Sequence, residues 1–202
     1  YPTYIHTIDA VTKPLSMGPL ATPEVTAQGL RIAVPVLRAL FTAEPGPGTK
    51  FHVPSHAAVV LGPLYERWHD DPKHGAYIRE ELGGRDAFIA FMTGQLAGAT
   101  HNAADLGRME LAFYGYSNRY TANALARLGA KEAIPALRRT KALFATAAPD
   151  PTLDAYLTRA LITLGDEETR AAFEAMPDDE ALPIAEWLVR NGKEEPVVYG
   201  GQ

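Results

Sequence analysis

Residues 128–139 read LGAKEAIPALRR, and this stretch decides the fold because the chain contains it more than once. One hundred positions upstream, residues 29–38 read GLRIAVPVLR and match it at a glycine, an alanine, a proline, a leucine and an arginine. Two looser copies read LGGRDAFIAF at residues 82–91 and LGDEETRAAF at residues 164–173. Self-similarity of this kind is typical of repeat architectures, in which each repeat is one supersecondary unit. We therefore predict a series of helix-turn-helix units.

The spacing between the last two copies supports this interpretation. Positions across two helices recur at a constant offset of 36: Tyr120, Leu125, Leu128 and Gly129 reappear as Tyr156, Leu161, Leu164 and Gly165. The first copy predicts a helix that starts at the N-cap Thr22 and ends at Gly29, followed by a second helix with Pro35 near its start. Its expected apolar stripe consists of Ile32, Val36, Leu37 and Leu40, and Gly115 is expected to interrupt a later helix.

The ends of the chain differ in composition from the middle. Residues 1–21 contain three prolines without any sustained period, which predicts an extended arm. Residues 192–202 predict a second extended tail, and residues 22–191 form the helical domain between the two. Residues 44–54, EPGPGTKFHVP, hold too many prolines and glycines for regular structure and are expected to form a long loop.

Composition excludes several classes of protein. The 202 residues are 47% hydrophobic, enough for one domain with a sizeable core, and carry a net charge of -5. Nucleic-acid-binding proteins usually have a basic face, so no nucleic-acid partner is predicted. The absence of cysteine removes disulfides, thiolate metal sites and cysteine nucleophiles.

The compartment is not determined by the sequence. Because the first residue is Tyr1 and not Met, an exported protein, periplasmic or extracellular, is favoured over a cytoplasmic one. No window approaches the ~20 consecutive apolar residues of a membrane-spanning helix. Peripheral association with a membrane complex stays compatible with this composition.

The copies that contain Gly29, Gly83, Gly129 and Gly165 resemble the HEAT-like repeat, particularly the short form found in phycobilin lyases. The shared pattern is a first helix rich in small residues that ends in Leu-Gly, then polar residues, then Ala-Ile-Pro-Ala-Leu at the start of the second helix. The resemblance implies an all-α fold, a short α-solenoid of about four to five HEAT-like helical hairpins that each contact only their neighbours. It also implies a surface suited to protein binding.

Enzymes built on the same repeat do not match at their functional residues. Deoxyhypusine hydroxylase binds iron through His-Glu dipeptides, and none of the six histidines here precedes a glutamate. The HEAT-like DNA glycosylases use a basic groove, whereas this chain is acidic. The phycobilin lyases share the repeat, but none of their catalytic residues maps onto this chain. We therefore predict no catalytic residue and no cofactor.

Four residues in one short window could bind a metal ion. His52 and His56 stand four positions apart, and Glu66 and His69 stand three apart. Such spacings on a helix direct two side chains toward one ion. A di-iron bundle would need two Glu-x-x-His copies, and only one is present; Pro54 also argues against helix between His52 and His56. Surface or interface histidines are the default interpretation.

An aromatic group around residue 116 predicts a partner-binding surface. Phe113 and Tyr120 fall on the apolar stripe of their helix and are expected in the core. Tyrosine, tryptophan and arginine are enriched at protein interfaces. Tyr114, Tyr116 and Arg119 fall off that stripe, and together with Trp68 they are the residues that we assign to partner binding.

Two functions remain open. The leading hypothesis is a non-catalytic scaffold or accessory subunit that binds another protein through the solenoid surface and the extended termini. The alternative is an enzyme or a small-ligand- or metal-binding protein on the same scaffold, with a histidine-containing pocket around residues 52–74. A clear repeat of the interaction type and the absence of an assembled active-site motif favour the first.

Overall fold

The computed structural model describes residues 22–42, 53–179, 181–182 and 184–185, and within these ranges the chain is helical with no β-strand. The predicted arm at 1–21, the tail at 192–202, most of the loop at 44–54 and His52 lie outside the described residues. None of the described helices has the length and apolar character that a membrane crossing requires.

The described part of the chain contains nine α-helices with complete bounds and two short 3-10 turns, and residues 178–179, 181–182 and 184–185 are also helical. The 3-10 turns span Ala103–Asp105 and Lys131–Ala133. The helices are α1 (Pro23–Thr42), α2 (Val53–Trp68), α3 (Gly75–Leu82), α4 (Arg85–Gly94), α5 (Ala97–Thr100), α6 (Arg108–Arg127), α7 (Ile134–Ala147), α8 (Pro151–Leu164) and α9 (Glu167–Glu174).

Helix α6 lies at the centre of the packing. It contacts α2 on one side and α8 on the other, so that α2, α6 and α8 form one row. Helix α7 packs against α8 and α5, α9 packs against α8, and α1 packs against α2 and α3. The core is one continuous apolar cluster that includes Leu61, Phe88, Leu125 and Leu161.

The Leu-Gly copies at the ends of α6 and α8 have the same local structure. Gly129 and Gly165 adopt positive φ angles of 63° and 87°, in the left-handed region that favours glycine. The backbone N–H of Ala130 donates to the Leu125 carbonyl at 3.0 Å, and that of Asp166 donates to the Leu161 carbonyl at 2.9 Å. The offset of 36 residues therefore reproduces the same helix end, as the sequence pattern predicts.

The first copy does not form the predicted helical pair. Helix α1 runs without a break through Gly29 and Pro35, so the predicted turn at Gly29 is wrong. Thr22 does cap the helix, because its Oγ1 accepts the Val25 N–H at 3.3 Å. A glycine inside a helix costs only about 1 kcal/mol relative to alanine, and burial of one face of α1 exceeds that cost.

The buried face of α1 also differs from the predicted stripe. Leu37 is buried as expected, and its partners in the core are Leu30, Ala33 and Val34. Ile32 and Val36, which were expected to be buried, are 59% and 54% exposed. Ile32 and Val36 do share a face of α1, but the face that packs against α2 and α3 is the one that carries Leu30, Ala33, Val34 and Leu37.

Helix α6 likewise continues through Gly115, where an interruption was expected. Gly115 is buried, and a Cβ atom at this position would lie 3.5 Å from Asp150 Oδ2 and 3.6 Å from the Phe144 ring. Both distances are ordinary van der Waals contacts, so the packing of α7 and α8 against α6 does not itself require a glycine here.

The short helix α5 is held against α6 and α7 by buried polar groups. Oγ1 of Thr140 accepts the Gly98 N–H at 3.0 Å, and Arg139 Nε donates to the Gly98 carbonyl at 2.9 Å. The side chain of Asn118, fully buried on α6, accepts the Ala97 N–H at 2.9 Å and donates to the Gln95 carbonyl at 3.0 Å. These contacts satisfy backbone groups that would otherwise be buried without partners.

Candidate functional site

The structure divides the four predicted partner-binding residues into two groups. Tyr116 is 36% exposed, and the Arg119 side chain is 28% exposed. Tyr114 and Trp68 are each only 6% exposed. The expectation that Tyr114 lies away from the apolar face of its helix is therefore wrong, and in this chain Tyr114 and Trp68 are packing residues.

The surroundings of these two buried rings explain their positions. The Tyr114 hydroxyl lies 2.9 Å from His101 Nε2, which satisfies its polar end inside the core. Burial, together with the nearby Glu110 carboxylate, raises the pKa of Tyr114. The Trp68 ring meets the edge of His74 at 5.4 Å and lies below the Arg67 guanidinium at 5.3 Å.

A group of tyrosines on α6 and α8 is at least partly exposed: Tyr116 is 36% exposed, and Tyr120, which was expected in the core, and Tyr156 are half-buried. The rings of Tyr116 and Tyr120 lie 5.2 Å apart on successive turns of α6. Tyr156 of α8 is close to this pair. Burial is the main cause that raises the pKa of Tyr156, Tyr120 also raises it, and the charge of Arg119 lowers it. We call the surface formed by Tyr116, Arg119, Tyr120 and Tyr156 the tyrosine face.

Arg119 is fixed in the tyrosine face by an ion pair. Its Nη2 donates to Asp150 Oδ2 at 2.7 Å, and Asp150 Oδ1 accepts the backbone N–H groups of Thr152 and Leu153 at the start of α8. Burial acts to raise the pKa of Asp150, but the bonds from Arg119 and the two N–H groups outweigh it and hold the pKa below its usual value. Asp150 therefore stays ionised and links α6 to α8.

Two polar atoms beside this ion pair have no hydrogen-bond partner among the described residues. They are Arg119 Nε, a donor, and Asn123 Oδ1, an acceptor, one helical turn apart on α6. Buried polar groups in native proteins are nearly always bonded. Both atoms are shielded from solvent, so they are unsatisfied within the fold and are not contact points for a partner.

Two of the predicted metal ligands line a separate cleft of about 470 Å³. It lies between the last turn of α2, helix α3, the start of α4 and the end of α6. We call it the arginine cleft, and its lining residues are Tyr65, Glu66, His69, Asp70, Arg79, Arg85, Arg127 and Leu128.

The predicted metal ligands are engaged with other groups. Glu66 Oε1 forms an ion pair with Arg127 Nε. His69 Nδ1 contacts the carbonyl oxygens of Tyr65 at 2.8 Å and Glu66 at 3.1 Å, and its Nε2 lies 3.1 Å from Asp70 Oδ2. In the ranges that the structure covers, no three His, Asp or Glu residues form a group that could hold a metal ion. The side chain of His56, like His52, lies outside the described part.

The three arginines of the cleft were not identified from the sequence. Arg79, Arg85 and Arg127 belong to three different helices and share no local pattern. Two of them bond to carbonyl groups at helix ends: Arg79 donates to the His69 carbonyl and Arg85 donates to the Leu128 carbonyl at 2.8 Å. Only the packing of α3 and α4 against α2 and α6 brings these residues together.

No protein-family model, curated protein or solved structure matches this chain. The tyrosine face and the arginine cleft are therefore the observations that bear on its function.

Proposed function

We propose that this chain is a non-catalytic scaffold or accessory subunit that binds another protein through the tyrosine face. The observation that carries the proposal is the juxtaposition on α6 and α8 of three tyrosines, one exposed and two half-buried, with a fixed arginine. Tyrosine and arginine dominate binding energy at many protein interfaces, because they give a large, partly polar contact area.

The fixed position of Arg119 favours binding over a purely structural role. An interface side chain that is already ordered loses less conformational entropy when a partner binds. The bond to Asp150 holds Arg119 in one conformation, with its side chain 28% exposed.

We further propose that the helices stack as a short HEAT-like α-solenoid. The shared helix ends at Gly129 and Gly165 support this, as does the row formed by α2, α6 and α8, in which α6 contacts both neighbours. In such an arrangement each unit rests on the next, and the outer sides of the row form an extended surface. The tyrosine face lies on that surface.

Affinity isolation with paired variants tests the proposal. Tagged wild-type chain, a Tyr116→Ser/Tyr156→Ser variant and a Tyr77→Ser control would be incubated with extract of the native cells, and bound proteins would be quantified by mass spectrometry. Tyr77 is a partly buried tyrosine on α3, outside the tyrosine face. We expect one protein to be recovered with wild type and control and to be depleted about tenfold or more with the double variant.

Circular dichroism and urea unfolding of the double variant provide the folding control. Equal recovery of the same proteins by all three folded chains would show that the tyrosine face is not the binding surface. Recovery of no protein in stoichiometric amount by the wild-type chain would contradict the scaffold role itself.

A further inference from the structure

The arginine cleft has the size and the rigid floor of a small-molecule site. Its volume of about 470 Å³ falls within the usual range for ligand pockets. Tyr65 and Leu128 form a buried floor. The Tyr65 ring stacks on Phe88 at 3.9 Å and on His69 at 4.9 Å, so the floor is fixed by packing on both sides.

Three arginines and four carboxylates meet at the cleft. Of the lining residues, Glu66 and Asp70 are acidic, and Glu66 pairs with Arg127. Asp70 lies near Arg79, and Asp86 and Glu132, which are next to the lining, lie near Arg85. The cleft therefore has no excess of positive charge, and its capacity for an anion depends on guanidinium N–H groups that these carboxylates do not approach closely.

Arg79 and Arg85 are positioned without being saturated by carboxylates. Arg85 Nη2 donates to the carbonyls of Leu128 at 2.8 Å and Gly129 at 3.3 Å, while Arg79 Nη1 donates to the His69 carbonyl. These bonds fix each guanidinium against the end of a helix. A guanidinium has five N–H donors, and the two side chains are 45% and 44% exposed.

The nearest carboxylates lie too far away for short charge-assisted hydrogen bonds. Asp70 Oδ1 is 3.9 Å from Arg79 Nη1, and the carboxylates of Asp86 and Glu132 are each 3.5 Å from Arg85 Nη1. Close arginine–carboxylate bonds measure about 2.7–2.9 Å. Asp70 is also 84% exposed, so an incoming anion can displace it toward solvent.

We propose that the arginine cleft binds a small ligand through an oxyanion group, a carboxylate or a phosphate, held by Arg79 and Arg85. The planar fork of a guanidinium matches both groups in bidentate geometry. Asp70 competes with the ligand for Arg79 and so weakens binding. This site is separate from the tyrosine face and does not depend on the proposed protein-binding function.

NMR titration of the full chain tests the proposal directly. Inorganic phosphate and succinate would be added in separate titrations at constant ionic strength, and backbone amide shifts would be followed. We expect saturable shifts confined to the amides of the cleft, at residues 65–70, 79, 85 and 127–129. A stronger response to one probe identifies which oxyanion the site prefers. Absence of saturable shifts with both probes would overturn the proposal.

Three variants assign the response to the cleft. Arg79→Gln removes one fork and should weaken binding about tenfold. Asp70→Asn removes the competing charge and should tighten binding about two- to threefold. Arg108→Gln removes the same charge from an exposed position outside the cleft and should leave the affinity unchanged. A variant that loses its fold cannot bind more tightly, so the gain in affinity expected of Asp70→Asn cannot come from unfolding. Equal affinity in the wild-type chain and all three variants would refute the assignment of the site to the cleft.

Discussion

Gly98 is the position where a single methyl group should have the largest effect on stability. A Cβ atom there would lie 2.2 Å from the backbone N of Thr140 and 2.5 Å from the carbonyl carbon of Arg139. Carbon atoms in contact are normally 3.5–4.0 Å from their neighbours. The Gly98→Ala substitution therefore requires α5 to move away from α7 by more than an ångström, since the atoms it meets belong to the backbone.

That movement breaks the two hydrogen bonds that hold Gly98, one to Thr140 Oγ1 and one from Arg139 Nε. Each is worth about 1 kcal/mol, and overpacking a core adds about 1–3 kcal/mol. We expect the free energy of unfolding to fall by about 3–5 kcal/mol, a large part of the total stability of a domain of this size.

Urea denaturation followed by circular dichroism at 222 nm measures this change. Gly94→Ala is the matched control, because Gly94 is an exposed helical residue of α4 and its Cβ would meet no described atom within 4 Å. Alanine is the better helix former, so this variant should be unchanged or slightly more stable. A Gly98→Ala variant within about 1 kcal/mol of wild type would refute the close contact between α5 and α7.

Two further predictions concern the helix ends. Gly165→Ala places a side chain at a φ angle of 87° and should lower the free energy of unfolding by about 1–2 kcal/mol. Urea denaturation measures this loss against the same Gly94→Ala control. An unchanged free energy of unfolding would argue against the turn described at Gly165. The hydrogen bond from Arg138 is the main cause that lowers the pKa of Asp166 in the folded protein. The ionised carboxylate therefore stabilises the folded state fully above its unfolded pKa of about 4. This stabilisation is lost as the pH falls through the lower pKa of the folded state. The Asp166→Asn variant should be less stable than wild type at pH 7, and the two stabilities should become equal near pH 2. A difference between their urea midpoints that stays the same at every pH would contradict the pairing of Asp166 with Arg138.

The turns after α6 and α8 could be predicted because their determinants are local. A leucine followed by glycine ends each helix, and the polar residues after it begin the next element. The required left-handed conformation belongs to the glycine alone and does not depend on the rest of the fold. For the same reason Thr22 was correctly identified as an N-cap.

Gly29, Pro35 and Gly115 were misread because their effect depends on tertiary packing. Each lies inside a 20-residue helix whose buried face outweighs the local preference. The row of α2, α6 and α8 is likewise a product of packing. Sequence spacing predicts which residues share a helix face, but it does not say which face meets a neighbour.

The candidate sites illustrate the same limit. Tyr116 and Arg119 were predicted to be accessible and are, whereas Tyr114 on the same helix is buried through its contact with His101. The arginine cleft had no local signal, since Arg79 meets the end of α2 and Arg85 meets the end of α6 only after the chain folds. Glu66 and His69, two of the predicted metal ligands, line the cleft and contact Arg127 and backbone carbonyl groups there, and the metal site itself stays a prediction.

The most direct test of protein binding is site-specific photo-crosslinking in extract of the native cells. A photoreactive phenylalanine analogue at position 116 should crosslink to one protein, and the same analogue at position 77, on α3, should not. The proposed role of the tyrosine face predicts a single crosslinked species from position 116 that disappears when Tyr156 is replaced by serine. Crosslinks of equal yield from both positions, or none from position 116, would contradict it.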